Sequence, residues 1–364
     1  MKKWKGKIVF LKCLWEDNIS ELNVKMEEDH DSIVSDEDQE RVGGTLSRLP
    51  SGIHPDAKKL EELSFDILPE GFFIIVYGAR RTGKTHAVSV LLEQVKGRFD
   101  FAYLFSNTAG LHKGQKGELD FDMITEDAKF QGFDEEALQA IMTRQKAVML
   151  HNNSTERKRD KKPNKTLLIF DDFVHEKAIR YSKLFTELPV LGRHFEISVI
   201  CLTQGYSQVA SGGLNKATRQ NADMILTFLP RSLTDVENVA NWYMTKDKID
   251  NMWFIKSVCQ EEHQLLAVDL TSPHETEFPN YCYSYQAPSK VPKYELGKVQ
   301  WRLQKEEEKR QKKAALASKI ENERAFYVGL GLMEKQQRVG QATGLAKRKF
   351  GKMSLFDAAR MVGS

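Results

Sequence analysis

The sequence predicts an α/β domain with a mostly parallel central sheet flanked by helices. Apolar runs of strand length alternate with helix-like segments over residues 56–285. These runs are continuous rather than alternating, which is typical of strands buried on both faces. None approaches the roughly 18 apolar residues that a membrane helix needs, so we expect no membrane span.

The elements of this domain can be placed in chain order. Runs rich in β-branched and aromatic residues predict six strands at 71–78, 99–107, 165–173, 196–204, 222–230 and 263–270. Amphipathic or helix-forming segments between them predict helices at 83–99, 134–150, 181–191, 232–244 and 247–259. The strand at 263–270 is expected to close the sheet.

Charge is segregated at the two ends of the chain, beneath a net charge of only +3. Residues 16–40 hold eleven acidic groups and one basic group, which predicts an acidic, largely disordered extension over 1–55. Residues 286–364 hold eighteen Lys and Arg against eight acidic residues. This second extension is expected to be partly helical and to suit nucleic acid or an anionic surface, unless it is simply a solvated tail.

The cysteines and the first residues indicate a reducing compartment. Lys7 and Lys12 interrupt any signal-peptide core near the N-terminus. The four cysteines are too scattered for a zinc site or a disulfide framework.

The segment GARRTGKT, Gly78–Thr85, matches the phosphate-binding pattern G-x-x-x-x-G-K-[ST] between a predicted strand and a predicted helix. Its backbone N–H groups and the helix N-terminus are suited to bind the phosphates of ATP. Lys84 is expected to reach the β- and γ-phosphates, and Thr85 to coordinate Mg²⁺. The predicted nucleotide contacts are Gly78, Ala79, Arg80, Arg81, Thr82, Gly83, Lys84, Thr85 and His86.

A pair of carboxylates follows the third predicted strand, in LLIFDD. The carboxyl ends of parallel strands form the ligand-binding edge of such sheets, so Asp171 is predicted to hold Mg²⁺. Asp172 is predicted to polarise the attacking water, or else to cap the next segment. Glu176 is the alternative base.

Polar residues flank the fourth predicted strand. If that strand lies between the two phosphate-motif strands, Gln204 at its carboxyl end can contact the γ-phosphate and the attacking water, unless it only begins a turn. Arg193 and His194 enter the opposite end, either for a local contact or to act on a neighbouring subunit. Arg219 is an equal candidate for such an arginine in trans, and Arg231 is expected nearer the nucleotide of its own subunit.

Taken together, GARRTGKT, LLIFDD and GRHFEISVICLTQ resemble the DNA-packaging ATPases of poxviruses and other large nucleocytoplasmic DNA viruses, a branch of the FtsK/HerA superfamily. The resemblance covers about residues 70–270. It implies a RecA-like P-loop NTPase of the ASCE type in which the glutamine strand is inserted between the two phosphate-motif strands. In that family Asp171, Asp172 and Gln204 correspond to the paired acids and the terminal glutamine.

The resemblance also implies an ATP- and Mg²⁺-dependent ring of five or six subunits that threads double-stranded DNA into a preformed capsid. A capsid or portal-vertex protein would be its partner, in the cytoplasm or nucleus of a host cell or in the virion. The loops at 154–162 and 205–219 are candidates for sequence-independent DNA contacts.

Three other functions remain open at this point. A viral replicative helicase typically ends the glutamine strand with asparagine and often carries a His-x-His nicking motif, and neither is found. A scaffold that binds ATP as a structural ligand would not need Asp172. A nucleotide kinase would need an arginine-rich lid, which is not evident.

Overall fold

The computed structural model describes residues 49–108, 121–171, 179, 182–205, 214, 216–273 and 277–342. The chain divides into two compact units, Met1–Trp301 and Arg302–Ser364. The predicted acidic extension lies almost entirely outside the described residues. The second unit contributes most of one long helix, whose described side chains are predominantly exposed.

The first unit is built on one mixed sheet, which has nine strands within the described residues. The strands are β1 Glu61–Glu62, β2 Phe73–Tyr77, β3 Phe101–Ser106, β4 Lys129–Gln131, β5 Thr166–Asp171, β6 Ile197–Thr203, β7 Met224–Phe228, β8 Gln264–Asp269 and β9 Cys282–Gln286. Their order is β1-β9-β8-β7-β2-β6-β5-β3-β4. Only β8 runs antiparallel to its neighbours, so the expected mostly parallel sheet is confirmed.

The described helices are α1 Lys84–Val95, α2 Glu135–Ser154, α3 Lys183–His194, α4 Lys216–Gln220, α5 Leu233–Tyr243, α6 Lys248–Val258 and α7 Lys298–Ala342. Four of them begin after a polar residue whose side chain accepts a hydrogen bond from a backbone N–H of the first turn. These capping residues are Asp134, Ser182, Ser232 and Asp247. Among the helices of the described ranges, none has both the length and the apolar character to cross a membrane.

The central strands form the core, which explains their continuous apolar sequences. Every residue of β2, β3, β6 and β7 is buried. On one side, the Phe105 ring stacks on Phe130 and Phe170 at centroid distances of 4.8 and 5.0 Å. Because these strands pair in parallel, their carboxyl ends lie together on one side of the sheet.

Three fold predictions were wrong at the edges. The strand at 263–270 does not close the sheet, because β9 pairs with β8 and β1 pairs with β9. β4 lies at the opposite edge and was not predicted. Arg193 and His194 end α3 rather than entering β6; the chain turns at Glu196, whose φ of 56° lies in the left-handed region.

The first compact unit continues beyond the predicted boundary at residue 285. The segment 287–297, which we call the strap, leaves β9 and contacts α1, where the Tyr294 hydroxyl donates to the Ser89 carbonyl. At its end, the N–H of Leu296 donates to the Met123 carbonyl at 2.8 Å. The Gln300 side chain accepts the N–H of Ala102 at 2.8 Å, and both Leu296 and Gln300 are fully buried. The first turn of α7 is therefore part of the domain core.

The three described cysteines are buried and reduced. Burial raises the pKa of the Cys201 and Cys259 thiols to about 12. Such thiols remain protonated at neutral pH and are poor nucleophiles.

Candidate active site

The phosphate loop connects β2 to α1 and curls around the Lys84 side chain. The Lys84 ammonium group donates to the carbonyls of Gly78 and Ala79 at 2.8 and 3.0 Å. The Thr82 hydroxyl also donates to Ala79, at 2.9 Å. These contacts hold the Lys84 ammonium group inside the loop, at the N-terminus of α1. A bound phosphate would accept hydrogen bonds from the same group.

Two glycines make this loop possible. Gly83 has a φ of 92°, in the left-handed region where a side chain is strained. A Cβ on Gly78 would lie 2.6 Å from the Thr82 hydroxyl oxygen and 3.1 Å from the Phe228 ring. The backbone conformation thus favours glycine at position 83, and the packing of neighbouring side chains favours it at position 78.

Thr85 and Asp171 lie together beside the loop. Asp171 ends β5, and its carboxylate accepts the Thr85 hydroxyl at 3.5 Å. Adjacent oxygen ligands of an octahedral Mg²⁺ ion lie about 3 Å apart, so at 3.5 Å the two groups flank a position where Thr85 could bind Mg²⁺ and Asp171 could hold it directly or through a bound water. The structure therefore brings together the two residues predicted to hold the metal.

Gln204 follows β6 directly beside the start of the phosphate loop. β6 lies between β2 and β5, and Thr203 pairs with Tyr77. The N–H of Gly78 donates to the Thr203 carbonyl at 3.2 Å. The predicted strand order is confirmed, and it places Gln204 at the same edge as the loop and Asp171. Asp172 and Glu176 lie outside the described residues.

Arginines gather at the mouth of the loop. Arg80 and Arg81 are exposed on it, and the Arg231 guanidinium donates to the Arg80 carbonyl at 3.4 Å. Arg231 lies on the nucleotide side of its own chain, as expected. This cluster makes the entrance to the site electropositive.

Arg193 lies near the amino ends of the central strands, at the opposite end from the phosphate loop. Its guanidinium pairs with the Asp223 carboxylate at 2.9 Å, and Asp223 also accepts the N–H of Phe73, the first residue of β2, at 2.7 Å. Burial raises the pKa of Asp223, while the Phe73 N–H and Arg193 act against that shift. Arg193 thus has the local contact that was one of its two predicted roles, and it does not reach the phosphate loop of its own chain.

Arg219 is buried within its own chain. Only 7% of it is exposed, and its guanidinium lies 3.9 Å above the Trp242 ring. It also donates to the Leu214 carbonyl at 2.9 Å. The described position gives Arg219 little reach toward a neighbouring subunit, and its role in trans stays a prediction.

Sequence reasoning missed His263, which contacts the phosphate loop from the β8 side. Its Nδ1 lies 3.1 Å from the Thr82 carbonyl, and a Cβ on Gly83 would lie 2.6 Å from the same nitrogen. His263 occupies the turn before β8, with a φ of 63°. No local pattern marks it, because its position depends on the pairing of β8 with β7.

The buried parallel strands, the phosphate loop, the Thr85–Asp171 pair and the inserted strand β6 define an ATPase of the P-loop class. A match to the family of the Poxvirus A32 protein covers residues 62–271. The chain belongs to this family of genome-packaging ATPases. No curated protein sequence matched the chain.

Solved structures show weaker likenesses. The genome packaging NTPase B204 from Sulfolobus turreted icosahedral virus 2, in complex with AMPPCP, is 15% identical with a TM-score of 0.39, over 60% of this chain and all of that chain. The pCW3 conjugation coupling protein TcpA is 10% identical with a TM-score of 0.40, over 60% of each chain. The cytoplasmic domain of EccC from Thermomonospora curvata is 12% identical with a TM-score of 0.35, over 62% of this chain and 27% of that one. The family match, rather than these likenesses, carries the assignment.

Proposed function

We propose that this packaging ATPase is a ring motor that uses ATP hydrolysis to translocate double-stranded DNA into a viral capsid. One observation carries the proposal: β6 places Gln204 between the phosphate loop and Asp171 and then continues directly into the segment 205–215. A side chain proposed to sense the γ-phosphate is thus joined along the chain to a segment that is a candidate for DNA contact. Loss of the phosphate at Gln204 would be passed along the chain to that segment.

The residues of the site have distinct roles in this proposal. Lys84 leaves its loop carbonyls to bind the β- and γ-phosphates, and Gln204 orients the attacking water. Thr85 and Asp171 would hold Mg²⁺, which would neutralise charge on the phosphate oxygens. Asp172 accepts the proton of the water. Arg80, Arg81 and Arg231 attract the triphosphate to the mouth.

Ring assembly of five or six subunits would complete the site from a neighbour. Arg193 is the stronger candidate in trans, because 47% of its side chain is exposed, whereas Arg219 is buried. Mixing Arg193→Ala or Arg219→Ala subunits with Lys84→Ala subunits tests this arrangement. Partial recovery of ATPase activity supports an arginine in trans, and recovery in neither mixture contradicts it for both residues.

The central test is ATPase activity with and without double-stranded DNA. We expect DNA to stimulate turnover, and Lys84→Ala to abolish it because the phosphates lose their charge partner. Lys146→Ala changes an exposed lysine on α2 and serves as the matched control. A turnover rate that double-stranded DNA leaves unchanged contradicts translocation, and activity retained in Lys84→Ala contradicts the site itself.

The basic residues of 286–364 are proposed to contact DNA or a capsid or portal-vertex protein at the assembly site, in the host cytoplasm or nucleus or in the virion. Removing 302–364 leaves the first compact unit whole. We expect this deletion to weaken DNA binding and to reduce its dependence on salt, since fewer counterions are released. Unchanged affinity and salt dependence would show that these residues do not bind DNA.

A further inference from the structure

A pair of histidines flanks the phosphate loop on the side away from the metal residues. His86, in the first turn of α1, and His263, before β8, have ring centroids 6.4 Å apart and ring planes at 32°. His86 is half-buried, and 42% of the His263 side chain is exposed. Both rings are therefore accessible to a ligand that lies on the loop.

The sheet topology shows which part of a nucleotide this pair would meet. Asp171 ends β5 and Gln204 follows β6, both on one side of β2, and so they define the γ-phosphate side. β7 and β8 lie on the other side of β2, and because β8 is antiparallel, Leu265 near its start pairs with Phe228 at the end of β7. The turn before β8 thus lies at the loop edge of the sheet. A triphosphate whose γ end points to Gln204 directs its nucleoside toward His86 and His263.

The turn that carries His263 is held in place at a conformational cost. Its φ of 63° is unfavourable for any residue with a side chain, and costs on the order of 1 kcal/mol. The Gln264 side chain accepts the N–H of Glu261 at 3.1 Å, and the Gln286 amide donates to the Glu262 carbonyl at 2.7 Å. His263 is thus held against the phosphate loop despite the strain of its backbone conformation.

The hydrogen bonds of the two rings set their tautomers when neutral. His263 Nδ1 faces the Thr82 carbonyl and His86 Nε2 faces the Pro288 carbonyl, so these two nitrogens must donate. The remaining nitrogen of neutral His86, Nδ1, is then an acceptor, whereas Nε2 of His263 faces the Glu262 carboxylate at 3.7 Å. Acceptors suit the exocyclic amino group of adenine and repel the O6 carbonyl of guanine.

We propose that His86 and His263 form the nucleobase subsite of this ATPase and select adenine over guanine. The inference rests on the nucleotide binding described above and adds the residues that recognise the nucleoside. Stacking on the His263 ring contributes affinity, and Nδ1 of His86, as an acceptor, contributes selectivity.

Calorimetric titration of the full chain with AMPPCP, its guanosine counterpart GMPPCP and inorganic tripolyphosphate tests the proposal. His263→Gly removes the ring and fits the left-handed backbone, and His263→Asn is a second variant that tolerates this conformation. We expect either variant to weaken AMPPCP binding about tenfold. Tripolyphosphate binding should not change. His86→Ala should reduce the preference for AMPPCP over GMPPCP, and His151→Ala, at an exposed histidine on α2, is the control.

Two results overturn the subsite and leave the phosphate site intact. Equal weakening of AMPPCP and tripolyphosphate would show that His263 only shapes the phosphate loop, and unchanged binding of both would show no role. Failure of the unmodified chain to bind tripolyphosphate would refute the phosphate site, and this proposal with it. The last result differs from the first two, so failure of the nucleobase subsite can be told apart from failure of the phosphate site.

Discussion

At the scale of single residues, the two ends of β6 serve different purposes. Gln204 lies at the edge that carries the phosphate loop, whereas Arg193 belongs to α3 and pairs with Asp223 at the other edge. The Asp223 side chain is only 4% exposed and also accepts the N–H of Phe73. Arg193 therefore stabilises a buried carboxylate that holds the start of the phosphate-loop strand.

Arg193→Ala should lower the free energy of unfolding at pH 7 by about 1–2 kcal/mol, between the values for exposed and buried ion pairs. Burial holds the folded pKa of Asp223 above its ordinary value of 3.8. The contribution of Asp223 to stability is therefore fully present below the ordinary value, and it is lost as the pH rises through the folded pKa. Removing Arg193 raises the folded pKa further. The stability lost in the variant should therefore shrink as the pH is lowered toward about 4.

Urea denaturation at several pH values measures this effect, and Asp223→Asn in the same background should remove most of its pH dependence. A stability loss of the same size at every pH would contradict the ion-pair explanation. A large fall in turnover with unchanged stability would instead favour the role in trans.

The site could be predicted from sequence wherever chemistry follows a local motif. The positions of Lys84, Thr85 and Asp171 around the phosphate loop could be predicted in this way, because the loop sequence and the acid after a buried strand specify their own geometry. Their roles stay predictions. His263 and Pro288 could not be found, since they reach the loop through the pairing of β8 and β9. The place of Arg193 was missed because a turn of only two residues separates α3 from β6.

At the scale of elements, the strap is the feature that links the phosphate-loop helix to the start of α7. It contacts α1 through Tyr294, and it ends at Gly297, whose φ is 83°. A Cβ on Gly297 would lie 2.9 Å from the backbone nitrogen of Ala102 in β3. The chain can pass this close to β3 only without a side chain.

Gly297→Ala should therefore destabilise the protein by about 2–4 kcal/mol, from the left-handed backbone and the overpacked contact together. Gly97→Ala is the matched control, because a Cβ there would meet nothing within 4 Å. Thermal unfolding compares the two variants. Equal melting temperatures would refute the close approach of the strap to β3.

The central strands and the helix starts were predictable because each has its own sequence signal. Buried strands such as β2 are continuous apolar runs, and helices such as α2 begin at a capping side chain. The edge strands carry no comparable signal. β1 has two residues and β4 has three, and their conformation comes from the neighbouring strand rather than from their own sequence.

At the scale of the whole molecule, the compact unit that contains the ATPase site ends at Trp301. Removing 302–364 should leave its melting temperature nearly unchanged. Removing 287–301 as well takes away buried Leu296 and Val299, and should cost at least about 3 kcal/mol at roughly 1.5–3 kcal/mol for each side chain. Thermal unfolding of the two truncated chains tests this difference. Equal stability would place the domain boundary near residue 285 after all.

The inserted position of β6 also affects how the protein is made on the ribosome. β2 is synthesised early, but both of its neighbours, β6 and β7, come much later in the chain. About 120 residues separate the end of β2 from the start of β6, which takes roughly 6–24 s at 5–20 residues per second. Throughout that interval the apolar sequence FIIVY has no native partner strand. A chaperone that binds nascent apolar strands would therefore protect the ATP site before it exists.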